Sequence, residues 1–434
     1  MDKMADVLGR AGAWCGQNKY LSAIKNAFQN FMPLTIAGAI GVLWCNVLVN
    51  DQTGLGLFFK PIMALDFLNP AFQAVNFCTI SCITVGITLG IAQEIGVWNM
   101  GAERAGYIPG LVGLAAWLSV TNTSHMVEGA KEAFTGIAGN ELGATGLFTG
   151  MIIGVLSVEL FCFFEKQDAL KIKMPEQVPP GVARAFEVLV PATITLIITA
   201  CIGSACYNLT GLYLNDVIKN GIQGPLGAVG ATIPGVMIIY LVIMLFWLVG
   251  IHGNNMLSAV KEALFTPLAL ENVEKFNKGE KPTNIINMYA LQMWGEFGGS
   301  GVTIGLVIAI MIFGKREDKK AIASLSLVPG LFNINETVTF GVPMVLNPIL
   351  GIPFVVAPLI TIIIGYVLTV IGFCPVACLT VPWTTPPIVF GFLACGANVM
   401  GAVTQAILIV VSTVIYVPFL IAYEKYQNKQ AAEA

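Results

Sequence analysis

Long runs of apolar residues constrain the fold of this chain more than any other sequence feature. Of its 434 residues, 56% are hydrophobic and 11% are charged, and the mean hydropathy is +0.79. A soluble domain has about 25% charged residues, whereas a membrane-spanning helix needs roughly 20 mostly apolar residues. Because the alternating pattern of a membrane barrel is absent, the spans are predicted to be helices. The predicted fold class is therefore an all-α polytopic membrane protein.

The apolar segments fall into two groups along the chain. They lie near residues 31–49, 71–92, 105–120, 143–164 and 183–206, and then near 232–250, 298–313, 354–373 and 398–423. Between the groups, residues 207–225 have the amphipathic pattern of a helix at the membrane surface, ended by Gly224 and Pro225. We therefore expect a first half, 1–225, closed by this linker helix, and a second half, 226–434.

Basic residues orient the predicted spans in the bilayer. Much of the Lys and Arg lies in 165–184, 314–320 and 423–429, which favours the cytoplasmic side for all three segments. This arrangement requires one extra crossing between 251 and 297, where 254–270 and 284–297 are both candidates. The net charge of −3 does not suggest a nucleic-acid partner.

Two segments of the second half, 321–350 and 374–396, combine polar residues with glycine and proline. Irregular backbone at membrane depth survives only where it is buried in protein or lines a wet cavity, and transporters place substrate at such breaks. We expect two re-entrant hairpins here, which leaves about ten crossings with both termini cytoplasmic. The sugar-binding and transport site is then expected in 226–434, with 1–225 as scaffold and dimer contact.

The stretch "PGLFNINETVTFGVPMVLNP", residues 329–348, places a carboxylate among amides between apolar segments. A short helix through it would present Asn333 and Glu336 on one face, with Asn335 nearby. Such a group suits a polyhydroxylated ligand, and ionisable residues inside membranes are usually functional. Alternatively, Glu336 caps a broken helix or pairs with a lysine of "GKREDKK".

A second polar centre is "FWLVGIHGNN", residues 246–255, at the end of an apolar segment. Glycines bracket His252, and Asn254 follows it. A lone histidine is often a packing residue, but the opened backbone and the adjacent amides favour a site.

The proline-rich stretch "VPWTTPP", residues 381–387, cannot form a regular helix. Trp383 offers a flat apolar face that suits the C–H face of a pyranose, as would Trp247. Thr384 completes the set of predicted substrate contacts. Either tryptophan could instead be a packing or interfacial residue.

Other features predict no additional chemistry. In "WGEFGGSGVTIG", residues 294–305, close helix packing explains the glycines, and Glu296 is interpreted as an ion-pair partner outside the primary site. Ten cysteines and two histidines, without C-x-x-C spacing, indicate neither a disulfide framework nor a metal site. No metal or cofactor is therefore expected.

Together these stretches resemble enzyme IIC of the lactose/cellobiose/diacetylchitobiose group of bacterial sugar phosphotransferase systems. The matching stretches are "AIKNAFQNFMPLTIAGAI", "FWLVGIHG", "TPLALENV", "GGSGVTIGL", "PGLFNINETVTFGVPMVLNP" and "VPWTTPP", in that order. Each is weak alone, but the ordered set is specific and covers essentially the whole chain. One departure is Thr337, which stands where the family usually has proline and puts the local backbone in doubt.

The resemblance implies a homodimer in the bacterial cytoplasmic membrane that imports a disaccharide. The sugar would be phosphorylated at its 6-hydroxyl by a phosphocysteine on a separate soluble IIB protein, which works with a IIA protein. By motif, the family's histidine and glutamate fall on His252 and Glu336 as catalytic residues. Its sugar contacts fall on the motifs of Trp247 and Trp383.

Without the resemblance, a second function fits the same residues. A proton-coupled secondary sugar transporter could use Glu336 and His252 as a proton relay and release unmodified sugar.

Overall fold

The described part of the chain divides into two compact units. The structure, a computed structural model, describes residues 10–14, 17–51, 55–125, 134–175 and 177–433. The larger unit contains Ala39–Ala74 and the chain from Val229 onward, and the smaller contains Gln17–Gly38 and the chain from Val75 to Ala228. Ala39–Ala74 therefore belongs with the second half. The roles assigned to the two halves, scaffold and dimer contact for 1–225 and sugar binding for 226–434, stay predictions.

Helices account for most of the first 230 residues. The α-helices are α1 Lys19–Leu43, α2 Asn69–Asn76, α3 Ile83–Met100, α4 Ala102–Ala105, α5 Ile108–Val120, α6 Gly139–Leu142, α7 Ala144–Glu165, α8 Pro180–Thr210, α9 Leu214–Ile218 and α10 Gly224–Gly230. Turns of 3-10 or π-helix are Trp44–Leu48, Leu55–Leu57, Lys60–Leu68, Phe77–Ser81, Asp168–Leu170 and Lys219–Gln223. The strands β1 Ser124–His125 and β2 Phe134–Thr135 form a short antiparallel ladder.

The second half is also mainly helical. These helices are α11 Ile233–Leu248, α12 Gly253–Met256, α13 Ser258–Asn277, α14 Met288–Gly295, α15 Ile304–Phe313, α16 Glu317–Leu331, α17 Glu336–Gly341, α18 Gly351–Val370, α19 Val389–Ala394 and α20 Val399–Glu433.

The helical membrane fold is confirmed in its general form. Among the described residues, five helices are long and apolar enough to span a bilayer, and a sixth span is possible if Lys60–Ser81 and Ile83–Met100, bent by 42°, count as one. Shorter apolar helices are α5, α11 and α15. The total of about ten crossings and the re-entrant hairpins stay predictions.

Small residues bring the helices of the smaller unit together. A Cβ atom at Gly113 of α5 would lie 2.3 Å from the Cβ of Ala92 on α3, and one at Gly150 of α7 would lie 2.2 Å from the hydroxyl of Thr88. Close backbone approach through small residues is the usual basis of helix association in a membrane. At one end of this unit, the buried Glu165 pairs with Arg104 and Arg184, so its charge is neutralised.

The long helix α20 supports the larger unit. It packs against α15 and α18, and a Cβ at Gly305 would lie 2.2 Å from the hydroxyl of Ser412. Near its end, the buried carboxylate of Glu424 accepts hydrogen bonds from the backbone N–H groups of Lys315 and Arg316. This contact ties the predicted cytoplasmic loop 314–320 to α20.

Two local predictions are wrong. Gly224 and Pro225 do not end a linker helix: α8 extends to Thr210, and Gly224 begins α10. The π-helical turn Lys219–Gln223 leads directly into α10, so Pro225 lies within a continuous helical stretch. Asn333 and Glu336 do not share one helix either, since Asn333 has a left-handed backbone (φ 62°) and α17 begins at Glu336.

Candidate functional site

A turn of glycines between α14 and α15 lies at the centre of the candidate site. Gly298, Gly299 and Gly301 have φ values of 71°, 87° and 80°, a backbone region that L side chains rarely adopt. A Cβ at Gly299 would lie 2.7 Å from the Cβ of Asn335. The interpretation that these glycines serve helix packing at the start of a span is therefore wrong, because they form a loop and α15 begins only at Ile304.

Ser300, within this turn, joins two of the predicted site residues. Its hydroxyl accepts a hydrogen bond from the amide of Asn254 at 3.0 Å, and its carbonyl accepts one from the amide of Asn335 at 2.7 Å. Asn335 is buried, whereas Asn254 is half-buried. The Oδ1 atom of Asn254 is buried and has no hydrogen-bond partner among the described residues.

His252 lies at the N-terminus of α12 and faces Glu336. Its Nδ1 atom accepts a hydrogen bond from the backbone N–H of Asn255 at 3.2 Å, so Nδ1 is unprotonated and a neutral ring carries its proton on Nε2. The Nε2 atom is 4.0 Å from Oε1 of Glu336. The two side chains are 39% and 48% exposed, respectively. The structure thus brings together the two residues predicted to be catalytic.

The two tryptophans of the predicted site occupy different environments. Trp247 is 2% exposed and its indole contacts the ring of His252, with centroids 4.4 Å apart. Its Nε1 atom has no hydrogen-bond partner among the described residues. Trp383 is 44% exposed, in the irregular segment before α19. Trp383 therefore offers an accessible ring face, whereas Trp247 lies behind His252.

Asn333 links three segments of the site. Its Oδ1 atom accepts a hydrogen bond from the N–H of Gly298 at 2.7 Å. Its Nδ2 atom donates to the carbonyl oxygens of Trp383 at 2.5 Å and Thr385 at 3.2 Å. Thr384, the remaining predicted contact, lies between these two acceptors and is half-buried.

A buried ion pair behind His252 was not assigned to the site from the sequence. Lys261 of α13 contacts Glu296, and the hydroxyl of Tyr240 donates to the same carboxylate at 2.7 Å. The side chains of Lys261 and Glu296 are 7% and 17% exposed. The charges of Glu296, Lys261 and Glu336 all act on His252. The sequence contained one usable signal, a lysine and a glutamate in apolar surroundings, but their separation of 35 residues concealed the pairing.

The irregular stretch 371–388, between α18 and α19, is fixed by buried side-chain amides. The Nδ2 atoms of Asn272 and Asn287 both donate to the carbonyl of Ala377, at 3.0 and 3.2 Å. At its other end, the side-chain oxygen of Gln405 accepts hydrogen bonds from the N–H groups of Ile388 and Gly391 at 2.7 and 2.8 Å. The segment that carries Trp383 is therefore held at both ends without regular secondary structure.

Comparisons with known proteins identify the family of this chain. The family model "Phosphotransferase system, EIIC" matches residues 25–358. The chain is 32% identical to the oligo-beta-mannoside-specific EIIC component of Bacillus subtilis (strain 168), over 98% of this chain and 94% of that protein. It is 30% identical to the cellobiose-specific EIIC component of Lactococcus lactis subsp. lactis (strain IL1403), over 98% of each protein.

A solved structure shows the same fold. The crystal structure of ChbC, the IIC component of the N,N'-diacetylchitobiose-specific phosphotransferase system, superposes with a TM-score of 0.88. The two chains are 29% identical, and the match covers 97% of each. This chain belongs to the EIIC family, the membrane permease components of the sugar phosphotransferase system.

Proposed function

We propose that this protein imports a β-linked disaccharide of the cellobiose, diacetylchitobiose or lactose type and presents its 6-hydroxyl for phosphorylation. The donor is a phosphocysteine on a separate IIB protein, which a IIA protein recharges. The relatives named above for oligo-β-mannosides, cellobiose and N,N'-diacetylchitobiose support this substrate class. The protein acts as a homodimer in the bacterial inner membrane, with both termini cytoplasmic.

The observation that carries the proposal is the pairing of His252 and Glu336. A nitrogen and a carboxylate oxygen lie 4.0 Å apart on two partly exposed side chains, in a region where the backbone is broken on both sides. A hydroxyl group that enters between them can donate its hydrogen to the carboxylate and accept one from Nε2. The pair therefore suits an alcohol substrate.

Unpaired polar atoms next to this pair support a polyhydroxylated ligand. The Oδ1 atom of Asn254 accepts no hydrogen bond from any described residue, and the Nε1 atom of Trp247 donates none. Because buried polar groups in native proteins are almost always hydrogen-bonded, a ligand or water should complete both. Sugar hydroxyls can donate to the Asn254 atom, a water molecule can complete the buried Trp247 atom, and Trp383 can cover a pyranose face.

The chemical step follows from this arrangement. The 6-oxygen of the sugar attacks phosphorus, the S–P bond of the phosphocysteine breaks, and the thiolate remains on IIB. The hydroxyl proton passes to Glu336, because Nε2 of the neutral His252 ring already carries a proton and donates to the hydroxyl oxygen. Phosphoryl transfer depends mainly on positioning, and a positioned base contributes typically 10²–10⁴-fold.

The test is phosphorylation of a panel of β-linked disaccharides. Membrane vesicles that contain the protein are supplied with phosphoenolpyruvate and the soluble phosphotransferase proteins, and mass spectrometry locates the phosphate. We expect one or more 6-phosphates that are absent from vesicles with Glu336→Gln. Accumulation of unmodified sugar, abolished by an uncoupler and independent of phosphoenolpyruvate, would instead establish a proton-coupled transporter.

A further inference from the structure

The side chain of Asn333 uses most of its hydrogen-bonding capacity within the protein. Both hydrogens of its amide are directed to backbone carbonyls, of Trp383 and Thr385, and its oxygen accepts from the N–H of Gly298. The reverse amide orientation would place oxygen against two carbonyl oxygens and NH₂ against an N–H, so the assignment is unambiguous on chemical grounds. Only one lone pair on Oδ1 remains for any other partner.

The backbone at Asn333 favours this arrangement. Its φ of 62° lies in the left-handed region, where asparagine is one of the few residues other than glycine that are readily accommodated. The turn directs the chain from the end of α16 into α17, where Glu336 begins the helix. Asn333 therefore lies three residues before the predicted base and contacts the segment that carries Trp383.

We propose that Asn333 is a positioning residue that fixes Trp383 relative to Glu336 by joining the glycine turn, the start of α17 and the proline-rich segment. Residues 381–387 lie outside helices and strands, and a turn bond from the N–H of Thr385 to the carbonyl of Pro382 encloses Trp383. The two bonds from Asn333 therefore fix this turn, and with it Trp383, to the rest of the site. Asn333 acts on the sugar through Trp383. This inference rests on the proposed function, because disaccharide affinity is the quantity that tests it.

The test is a double-mutant cycle between Asn333→Gly and Trp383→Ala, with disaccharide affinity measured by calorimetry on the purified protein. Glycine keeps the left-handed backbone without strain and removes only the amide. We expect Asn333→Gly to weaken binding about tenfold, which corresponds to about 1.4 kcal/mol. In the Trp383→Ala background the same change should have almost no further effect, since the ring it positions is absent.

Asn347→Gly is the matched control. Asn347 lies between α17 and α18, and its side chain bonds to nearby backbone groups of Pro343, Ile349 and Leu350, at 2.8 to 2.9 Å, and to Tyr423 of α20. We expect sugar affinity within about twofold of the wild type, a difference well below 1 kcal/mol. A second variant, Asn333→Asp, keeps the acceptor for Gly298 and loses the donor to Trp383, so it should weaken binding at least as much as Asn333→Gly.

The outcomes separate the inference from the proposed function. If both substitutions weaken binding and their effects add, Asn333 contacts the sugar directly and the positioning role is wrong. If Trp383→Ala weakens binding but Asn333→Gly and Asn333→Asp do not, the hydrogen bonds from Asn333 to the proline-rich segment have no role in sugar binding. If no disaccharide binds the wild type, or Trp383→Ala changes nothing, the proposed sugar site itself is wrong.

Discussion

The imidazole of His252 rests against the indole of Trp247, and their ring centroids are 4.4 Å apart. Trp247 is almost fully buried, and the ring of Phe354 also lies edge-on to it, with centroids 6.5 Å apart. A ring backed by two packed aromatics has few alternative rotamers, so His252 is held in place before a substrate arrives. This preorganisation is worth most in a reaction that depends on the alignment of donor and acceptor.

The first prediction follows from this contact. Trp247→Leu removes the support of His252, so the rate of sugar phosphorylation should fall about 10–100-fold while disaccharide affinity changes little. Trp383→Ala should have the opposite profile, with weaker binding as the main effect. Phosphorylation kinetics and calorimetry on both variants measure how far each substitution lowers the rate and how far it lowers the affinity. Equal losses of affinity in the two variants would mean that Trp247 contacts the sugar itself.

Glu336→Gln should abolish phosphorylation while the protein stays folded and dimeric. The substitution removes a base without changing side-chain volume, so the rate should fall at least about 100-fold. Glu317→Gln makes the same change at the 86% exposed start of α16 and should retain activity. A near wild-type rate in Glu336→Gln would remove the carboxylate from the mechanism and leave His252 as the base.

His252→Ala should weaken transport by removing the hydrogen bond from Nε2 that aims the 6-hydroxyl. His125→Ala provides the matched control, because His125 lies on β1 in the smaller unit, where its ring packs against Phe134. Sugar uptake and protein yield are measured together for both variants. Loss of yield alone in His252→Ala, with normal uptake per molecule, would return His252 to a packing role.

Breaking the buried pair of Lys261 and Glu296 should destabilise the protein. Lys261→Met leaves a carboxylate buried without its cation, and the loss of one partner of a buried pair typically costs 3–5 kcal/mol. The double variant with Glu296→Gln should recover most of the lost stability, since Tyr240 can still donate a hydrogen bond to the side-chain amide. Thermal unfolding of the purified protein in detergent measures both. Equal destabilisation of the single and double variants would contradict a charge effect.

Sugar binding should change the accessibility of residues 331–340 and 381–387 together. Because Ala39–Ala74 belongs to the same compact unit as these segments, probes in that range should respond with them, and probes in α3 should not. Single cysteines on a background without native cysteines are labelled with and without disaccharide. Changes in α3 alone would show that the smaller unit, and not the larger one, responds to the sugar.

The sequence predicted the features that depend on composition and local chemistry. Apolar runs such as 354–373 and 398–423 correspond closely to α18 and α20, because a bilayer demands long helices with few polar groups. The polar breaks around His252 and Glu336 were recognised for the same reason, as ionisable groups in apolar surroundings. The pairing of these two side chains was an expectation from family resemblance, and the structure brings them together.

Features that depend on contacts between distant residues were not predicted. Asn333 was expected to bind sugar, but its partners Gly298 and Trp383 lie 35 and 50 residues away, and no local pattern reveals them. The left-handed turn at Asn333 likewise separates it from α17, although the spacing to Glu336 suggested one helical face. The membership of Ala39–Ala74 in the larger unit depends on tertiary packing, which periodicity does not encode.

The glycine turn at 298–301 also limits how sugar preference can be engineered. A side chain at Gly301 would meet the ring of Phe354 at 2.3 Å, and one at Gly299 would meet Asn335 at 2.7 Å, so randomised libraries should leave these codons untouched. Diversity belongs instead at exposed positions such as Trp383 and at its neighbour Thr384, where new side chains have room. A library that varies Trp383 and Thr384 but keeps the glycines should yield a larger fraction of folded clones. Altered selectivity should then come from substitutions at a few exposed positions.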